Sequence, residues 1–178
     1  FHDFTTFSFW KKLDKLILHV VPSYGSLYVH QILELVNPIS LDIMADNIPI
    51  LNKMTRLKHL MYLGKLPSNA IAELELETLY RDPCDFTPIT LRTNKLVRFI
   101  GNYNSNEINF TKIKVLSCNS VELLSEHIVY LYLTNAVRCN LNAFKNLQYL
   151  RVGPKFLDQD IKDLKLKGLD VTNNVNIT

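Results

Sequence analysis

A recurring spacing of apolar side chains constrains the fold of this chain more than any other sequence feature. In Leu141–Val152 (LNAFKNLQYLRV) the apolar residues follow one another at intervals of three and finally of two. An α-helix turns about 100° per residue, so repeated three-residue steps carry these side chains off any single helix face. A strand needs strict alternation, which only Leu150 to Val152 provides. The pattern predicts a tight 3₁₀-like arc that straightens into a short strand, as in one coil of a solenoid.

The frame apolar-x-x-apolar-x-apolar recurs along the chain and predicts a stack of such coils. The last four frames begin at residues 110, 128, 147 and 166, which are 18, 19 and 19 residues apart. The predicted frames are Leu13-Leu16-Leu18, Pro38-Leu41-Ile43, Leu57-Leu60-Tyr62, Ile71-Leu74-Leu76, Phe110-Ile113-Val115, Ile128-Leu131-Leu133, Leu147-Leu150-Val152 and Leu166-Leu169-Val171, with a further strand within Leu96–Ile100. So short a coil leaves too few residues for an average helix, and the side opposite the strands should be mostly irregular or 3₁₀.

Two segments are predicted to be helical. Ser26–Val36 (SLYVHQILELV) begins with a serine suited to an N-cap and is followed by Pro38, which ends a helix. Asp158–Lys165 is predicted to form a short helical turn.

The frames resemble the leucine-rich repeat family, whose strand motif reads L-x-x-L-x-L-x-x-N/C. Two of them carry the full motif: Phe110-Ile113-Val115 with Cys118, and Leu166-Leu169-Val171 with Asn174. In that family the ninth side chain is buried and hydrogen-bonds the backbone of the neighbouring turn. The resemblance implies an α/β fold, a curved solenoid with a parallel sheet on its concave face, as one domain over residues 1–178. The irregular repeats are similar to those of fungal leucine-rich proteins, several of which carry an F-box. Because the pattern is already under way at Phe1, we expect a longer parent protein.

Composition and motifs argue against an enzyme. The formal net charge is +3, from 20 basic and 17 acidic side chains, which is too balanced to require nucleic acid or a membrane surface. The chain lacks the zinc-protease, nucleophile-elbow and phosphate-loop motifs, and its five histidines have no metal-binding spacing. We therefore expect no catalysis, no cofactor and no metal.

Cysteine usage favours an intracellular protein, in the cytoplasm or nucleus. The three cysteines, Cys84, Cys118 and Cys139, form no C-x-x-C pair and are better read as small buried residues than as a disulfide framework. No apolar run reaches the length of a membrane span, so no membrane association is expected. Two glycosylation sequons, at Asn109 and Asn176, would matter only if the chain were secreted.

Candidate binding residues follow from stacking the strands, since adjacent parallel strands lie about 4.8 Å apart and equivalent positions form columns. Two columns are predicted on the concave face, namely Lys112, Tyr130 and Tyr149, and Lys114, Tyr132 and Arg151. Glu73, Glu75 and Glu77 alternate along a predicted strand and should form an exposed acidic stripe beside this basic-aromatic patch. An apolar group of Ile17, Met61 and Leu63 is predicted on the same face.

The predicted function is a non-catalytic protein–protein interaction module. Tyrosine and arginine are enriched at binding hot spots, so a protein partner is expected on the concave face. The fungal resemblance suggests the substrate-recognition part of a ubiquitin-ligase receptor, or a scaffold subunit. Two alternatives remain open at this point: a nucleic-acid-associated subunit that uses the basic-aromatic patch, and an extracellular recognition repeat with both sequons glycosylated.

Overall fold

The chain forms a parallel β-solenoid. A computed structural model describes residues 12–19, 26–46, 48–82, 84–85, 87–102, 111–118, 126–133, 140–172 and 174–177. Predictions made for Phe1, Asn109, Phe110 and Cys139 lie outside these ranges. The strands are β1 (Lys15–His19), β2 (Ser40–Met44), β3 (His59–Leu63), β4 (Thr78–Arg81), β5 (Arg98–Ile100), β6 (Val115–Ser117), β7 (Tyr130–Leu133), β8 (Tyr149–Val152) and β9 (Gly168–Asp170). They form one nine-stranded sheet in sequence order, and every neighbouring pair is parallel.

One apolar side chain from each coil builds a continuous spine behind the sheet. The register joins Leu16, Leu41, Leu60, Leu79, Phe99, Leu116, Leu131, Leu150 and Leu169 in one row. All of them are buried except Leu169 on β9, which is 43% exposed. A single coil cannot cover its own apolar side, so each depends on the coils above and below it. The solenoid predicted from the apolar frame is confirmed.

The predicted register is wrong in two coils. β4 begins at Thr78, so its frame is Leu76-Leu79-Arg81 rather than Ile71-Leu74-Leu76. Likewise β6 uses Ile113-Leu116-Cys118 rather than a frame ending at Val115. The frame of β4 was hidden because its sixth position holds Arg81, which is not apolar. The frame of β6 was hidden because the motif of the resembled family places Cys118 at the ninth position of a frame that begins at Phe110. Ile71 and Leu74 are buried all the same, but in the turn before the strand.

The side opposite the sheet carries short helical segments. Helix α1 (Ser26–Val36) matches its prediction and buries Val29, Leu33 and Val36. It ends at Asn37, which has φ 39° and donates its N–H to the carbonyl of Leu33, an αL-type helix end. Helix α2 (Asp158–Ile161) lies within the predicted helical turn, and Pro49–Lys53 and Leu141–Ala143 are 3₁₀.

The segment Leu141–Val152 forms the tight arc that its three-residue apolar spacing predicts. Leu141, Phe144 and Leu147 are all buried, and the chain runs from a 3₁₀ turn into β8. The Asn140 side chain accepts a hydrogen bond from the Asn142 N–H at 3.2 Å and holds the start of this turn. A 3₁₀ turn places residues i and i+3 on one side, which explains the interval.

Polar side chains join successive turns where the strands end. Asn174, at the ninth frame position, is buried and donates from Nδ2 to the carbonyls of Gly153 at 2.7 Å and Phe156 at 3.1 Å. Asp46, at the same frame position, accepts the N–H of Lys65 through Oδ1 at 2.7 Å. These bonds satisfy backbone groups that the turn leaves unpaired. The predicted role of Asn174 is confirmed, whereas Cys118 is buried at the sixth position instead of the ninth.

Truncating the spine should have very different consequences in the middle and at the end of the stack. Leu131→Ala removes a side chain with no exposed surface, so it should lower the free energy of unfolding by about 3 kcal/mol. Leu169→Ala, at the equivalent position of β9, should cost about 1 kcal/mol or less, because its side chain is already partly in water. Urea unfolding followed by circular dichroism measures both, and equal costs would contradict the difference in burial between Leu131 and Leu169.

Candidate binding face of the sheet

Two columns of side chains point away from the spine, and together they define the outer face of the sheet. The first column contains Lys15, Ser40, His59, Thr78, Arg98, Val115, Tyr130, Tyr149 and Gly168. The second contains Ile17, Asp42, Met61, Tyr80, Ile100, Ser117, Tyr132, Arg151 and Asp170. Because the register is continuous, each side chain has its neighbours one strand away on either side.

Tyr130 and Tyr149 form a stacked pair on this face. Their ring centroids are 4.5 Å apart and their planes differ by 3°. This separation is close to the spacing of neighbouring strands, so the in-register pairing of β7 with β8 sets the stack directly. The two rings remain 36% and 37% exposed. A paired aromatic surface is thus held in one orientation and open to solvent.

Gly168 makes room for the Tyr149 ring. It lies next to Tyr149 in the first column, on β9. A Cβ at this position would lie 2.9 Å from Cδ1 of Tyr149 and 3.3 Å from Cε1. The missing side chain therefore allows the ring to lie low over β9 while it stacks on Tyr130.

Arg151 lies beside the tyrosine pair in the second column, between Tyr132 and Asp170. Its Nε is 3.4 Å from Asp170 Oδ2, and both side chains are about half exposed. Hydrogen bonds from Thr172, with a smaller contribution from Arg151, lower the pKa of Asp170. Four of the predicted site residues (Tyr130, Tyr132, Tyr149 and Arg151) are thus brought together as expected.

Lys112 and Lys114 do not occupy the predicted columns. Val115 pairs with Tyr130 and Ser117 pairs with Tyr132, so these two residues fill the places assigned to the lysines. The cause is the wrong register predicted for β6. The strand begins at Val115, so both lysines lie in the segment before it. Both are exposed there, close to the entrance of β6 but outside the aromatic columns.

The predicted acidic stripe is not on a strand and is not an isolated patch of negative charge. Glu73, Glu75 and Glu77 precede β4, and each pairs with a cation of an adjacent coil. The pairs are Glu73 with Arg92, Glu75 with Lys95 (2.6 Å) and Glu77 with Lys58 (3.1 Å). The hydrogen bond from Lys58 is the main cause of a lowered Glu77 pKa, and the one to Glu75 raises the pKa of Lys95. Solvated pairs of this kind each contribute about 0–1 kcal/mol.

Sequence reasoning missed one aromatic residue of the outer face. Tyr80 lies between Met61 and Ile100 in the second column, and together they form an apolar row over β3, β4 and β5. Met44 and Ile17, on β2 and β1, are 45% and 53% exposed on the same face. Regular spacing of the frames could have located Tyr80. Frames that begin at Leu57, Leu76 and Leu96 place Tyr80 at an outward-facing position of β4.

A buried ion pair stands in the spine next to this row. Arg81, which is 1% exposed, donates from Nη2 to Asp85 Oδ2 at 2.6 Å and to the Thr87 carbonyl at 2.8 Å, and from Nη1 to the Asn102 carbonyl at 3.0 Å. Burial alone would raise the pKa of Asp85, but hydrogen bonds from Thr87, Arg81 and Leu66 outweigh it and keep the pKa low. Every contact lies within the fold, so we assign this cluster a structural role.

Gly101 is required by the same cluster. Its φ is +137°, and a Cβ there would lie 2.3 Å from Cγ of Arg81. The close approach of these two residues leaves space only for glycine, and it fixes the arginine stem against the end of β5.

The described residues contain no group of three or more histidine, cysteine or acidic side chains arranged to hold a metal ion. None of the helices in this part of the chain combines the length and apolar character needed to cross a bilayer. No family model, no curated protein and no solved structure matches the sequence. Function is therefore inferred from the geometry of the chain itself.

Filling the space at Gly168 should disturb the tyrosine stack without unfolding the sheet. In Gly168→Ala the new methyl group would push the Tyr149 ring off Tyr130, and a side chain can shift more easily than a strand. We expect a reduced near-ultraviolet circular dichroism signal from the tyrosines with an unchanged far-ultraviolet spectrum. Thr78→Ala, in the same column but remote from the pair, is the matched control. An unaltered tyrosine signal in Gly168→Ala would contradict the described packing.

Removing the charge of Asp85 should be costly at neutral pH and nearly harmless in acid. Asp85→Asn leaves the buried Arg81 without a counter-ion, so we expect a loss of about 3 kcal/mol at pH 7. The Asp85 pKa is lower in the folded chain than in the unfolded chain. The stabilisation is thus present above the ordinary value of about 3.9 and is lost as pH falls through the folded-state pKa. Below that pKa, the free energies of unfolding of the wild type and of Asp85→Asn, measured in urea, should become nearly equal.

The control for this change is Glu73→Gln, which breaks the solvated pair with Arg92. It should cost at most about 1 kcal/mol at pH 7. A similar cost for both variants would show that the Arg81–Asp85 pair is not buried as described.

Proposed function

We propose that this chain is a non-catalytic protein-interaction module that binds a partner protein on the outer face of its sheet. The observation that carries the proposal is the exposed stacked pair of Tyr130 and Tyr149 beside Arg151. Tyrosine and arginine are the residue types that most often dominate binding energy at protein interfaces.

The order of the tyrosine pair favours binding. Immobilising a free side chain at an interface costs about 0.5–1.5 kcal/mol. Tyr130 and Tyr149 are already stacked by strand register and by the gap at Gly168, so little of this cost remains to be met on association. Each hydroxyl stays available as a hydrogen-bond donor and acceptor.

The apolar row extends the proposed surface toward the first strands. Met61, Tyr80 and Ile100 are partly exposed on consecutive strands, and Met44 and Ile17 add further apolar surface. Contiguous exposed apolar surface commonly marks an interaction site. A partner that lies across β1 to β8 would place apolar side chains on this row and polar groups near Arg151 and the tyrosines.

The repeat class and cellular setting are part of the proposal. The apolar frame and the buried Asn174, with its bonds to two backbone carbonyls, support a leucine-rich-repeat-like solenoid with a curved, concave sheet. Within that class we propose the substrate-recognition part of a ubiquitin-ligase receptor, or a scaffold subunit. The prediction that Cys84 is buried is wrong: it is an exposed free thiol, which suits a reducing, intracellular compartment.

A nucleic-acid partner is the second candidate, and one observation favours it. Arg98, Lys112 and Lys114 are exposed and make no ion pair among the residues that the structure describes. Phosphates would bind these cations, and bases would stack on the tyrosines. The extracellular alternative has less support, because Asn109 lies outside the described ranges and the Asn176 side chain already donates to the Pro154 carbonyl.

Loss of the two tyrosines should strongly weaken partner binding while the fold survives. A photo-cross-linking residue at Tyr132 first identifies the partner, and the same residue at Val175, which is 88% exposed and off the sheet face, is the control. With that partner purified, Tyr130→Ala/Tyr149→Ala should weaken binding by about 30-fold or more, since each side chain is expected to act as an anchor. Val175→Ala should leave the affinity unchanged.

Two results would count against the proposal. Unchanged affinity in the double variant, with a native circular dichroism spectrum, would remove the tyrosine pair from the interface. Binding to single-stranded nucleic acid that falls steeply with added salt, and that Lys112→Ala/Lys114→Ala weakens, would favour the second candidate.

A further inference from the structure

Three exposed cations near β5 and β6 have no counter-ion within the described part of the chain. They are Arg98, the first residue of β5, and Lys112 and Lys114, which lie just before β6. Glu126, which lies just before the frame of β7, makes no ion pair with either lysine. These three residues are called the basic cluster below.

The preceding coils neutralise their charges in pairs, and the basic cluster does not. Lys58 meets Glu77 at 3.1 Å, and Glu75 meets Lys95 at 2.6 Å, each between neighbouring coils. Opposite charges thus lie at matching positions before β3, β4 and β5. The charge pairing stops at β6, where positive charge remains without a partner.

Neutral side chains flank the two cations that lie closest to the columns of the outer face. Arg98 has a threonine on one side and a valine on the other in the first column. The N–H of Lys114 donates to the Val97 carbonyl and the N–H of Val129 donates to the Lys114 carbonyl, both at 2.9 Å, so two valines flank this lysine. These neighbouring positions hold no carboxylate, and the positive charge is left for a partner to compensate.

The spacing of the basic cluster fits carboxylates on an extended chain. Arg98 pairs with Val115, and Lys114 lies one residue earlier than Val115. Strands lie about 4.8 Å apart and rise about 3.3 Å per residue, so the Cα atoms of Arg98 and Lys114 are about 6 Å apart. Alternate residues of an extended segment are about 7 Å apart and point the same way. Two acidic residues separated by one residue therefore reach both cations at once.

The basic cluster is continuous with the tyrosine pair. Val115 is next to Arg98 on one side and next to Tyr130 on the other, so one strand separates the cation from the stacked rings. The two rings are parallel and therefore inclined alike, and the Tyr149 ring lies over Gly168 on β9. Both rings thus lean away from β6, which leaves room for an apolar side chain on the partly exposed Val115.

From this arrangement we infer that the partner segment bound by the outer face is acidic. It is an extended segment of a partner protein with two acidic residues one residue apart, next to an apolar residue. The carboxylates pair with Arg98 and Lys114, Lys112 adds a third cation, and the apolar side chain lies on Val115 against Tyr130. This inference rests on the proposed function, because it names the chemistry of the partner at the same face.

A nucleic-acid strand fits the outer face less well, because it needs a longer track of cations. On the strands before the basic cluster, the second column is apolar at Met61, Tyr80 and Ile100. On the other side, Arg151 already pairs with Asp170 at 3.4 Å. Positive charge confined to one short stretch suits a short acidic motif with apolar neighbours better than a continuous phosphate backbone.

The chain itself supplies a probe with the required spacing. Residues 71–79 read IAELELETL, in which Glu73, Glu75 and Glu77 are each separated by one residue. The probe is this synthetic peptide with an N-terminal fluorophore, and its control has glutamine in place of all three glutamates. Fluorescence anisotropy with the full chain should show about fivefold or more tighter binding of the acidic peptide, since at least two exposed ion pairs are gained. Added salt should bring the two affinities together.

Two protein variants locate this preference. Arg98→Gln/Lys114→Gln should bind the acidic and the neutral peptide equally. Lys145→Gln/Lys162→Gln removes the same charge from exposed positions in the turns after Leu141–Ala143 and α2, so it should keep the wild-type preference. Circular dichroism verifies that both variants are folded.

The partner identified by cross-linking separates this inference from the proposed function. Arg98→Gln/Lys114→Gln should weaken its binding by about fivefold or more, in addition to the effect expected for Tyr130→Ala/Tyr149→Ala. Binding that depends on the tyrosines but not on the two cations would overturn the acidic segment and leave the proposed function standing. An acidic preference that persists in the tyrosine variant, with unchanged partner affinity there, would overturn the role of the tyrosines instead.

Three further results would overturn the inference. These are no measurable binding of the acidic peptide, equal binding of both peptides to the wild type, and a preference for the acidic peptide that survives in Arg98→Gln/Lys114→Gln. A single-stranded oligonucleotide that binds the wild type more tightly than the acidic peptide, and that this variant no longer binds, would assign the basic cluster to phosphates.

Discussion

The structure depends on one repeated interaction, the burial of an inward-pointing leucine or phenylalanine between the coils above and below it. Each such side chain contributes about 1.5–3 kcal/mol when it is fully covered. The row from Leu16 to Leu150 is covered throughout, which explains how strands of only three to five residues can form a continuous sheet. The same row fixes the register, and the register in turn decides which side chains meet on the outer face.

The sequence was sufficient to predict the solenoid, the parallel sheet and helix α1, because a three-then-two apolar interval is satisfied by few other structures. It also identified the aromatic columns at β7 and β8, where frames begin 19 residues apart and the strands carry clear leucines. The pairing of Tyr130 with Tyr149 thus follows from the spacing of the frames alone. Their parallel stacking and the gap at Gly168 depend on side-chain geometry, which the pattern does not contain.

The errors in the predicted strand register occur in two coils. The frame of β4 has Arg81 at a core position, so an apolar frame upstream fits the pattern better, and in β6 Cys118 fits the ninth position of an overlapping frame that begins at Phe110. These errors placed the lysines of the sixth coil among the tyrosines and placed Glu73–Glu77 on a strand. A buried arginine is tolerated because three carbonyl or carboxylate oxygens surround it, and such a constellation of distant partners cannot be read from local spacing.

The arginine cluster also has a mechanical consequence. The Asp85 carboxylate accepts a hydrogen bond from the Leu66 N–H in the preceding turn. The Arg81 guanidinium donates to the Asn102 carbonyl in the following turn. Three consecutive coils are thereby clamped in the middle of a molecule whose other contacts are mostly between immediate neighbours. A chain pulled from its two ends would peel from the outside inwards, and this clamp would be the last part to yield.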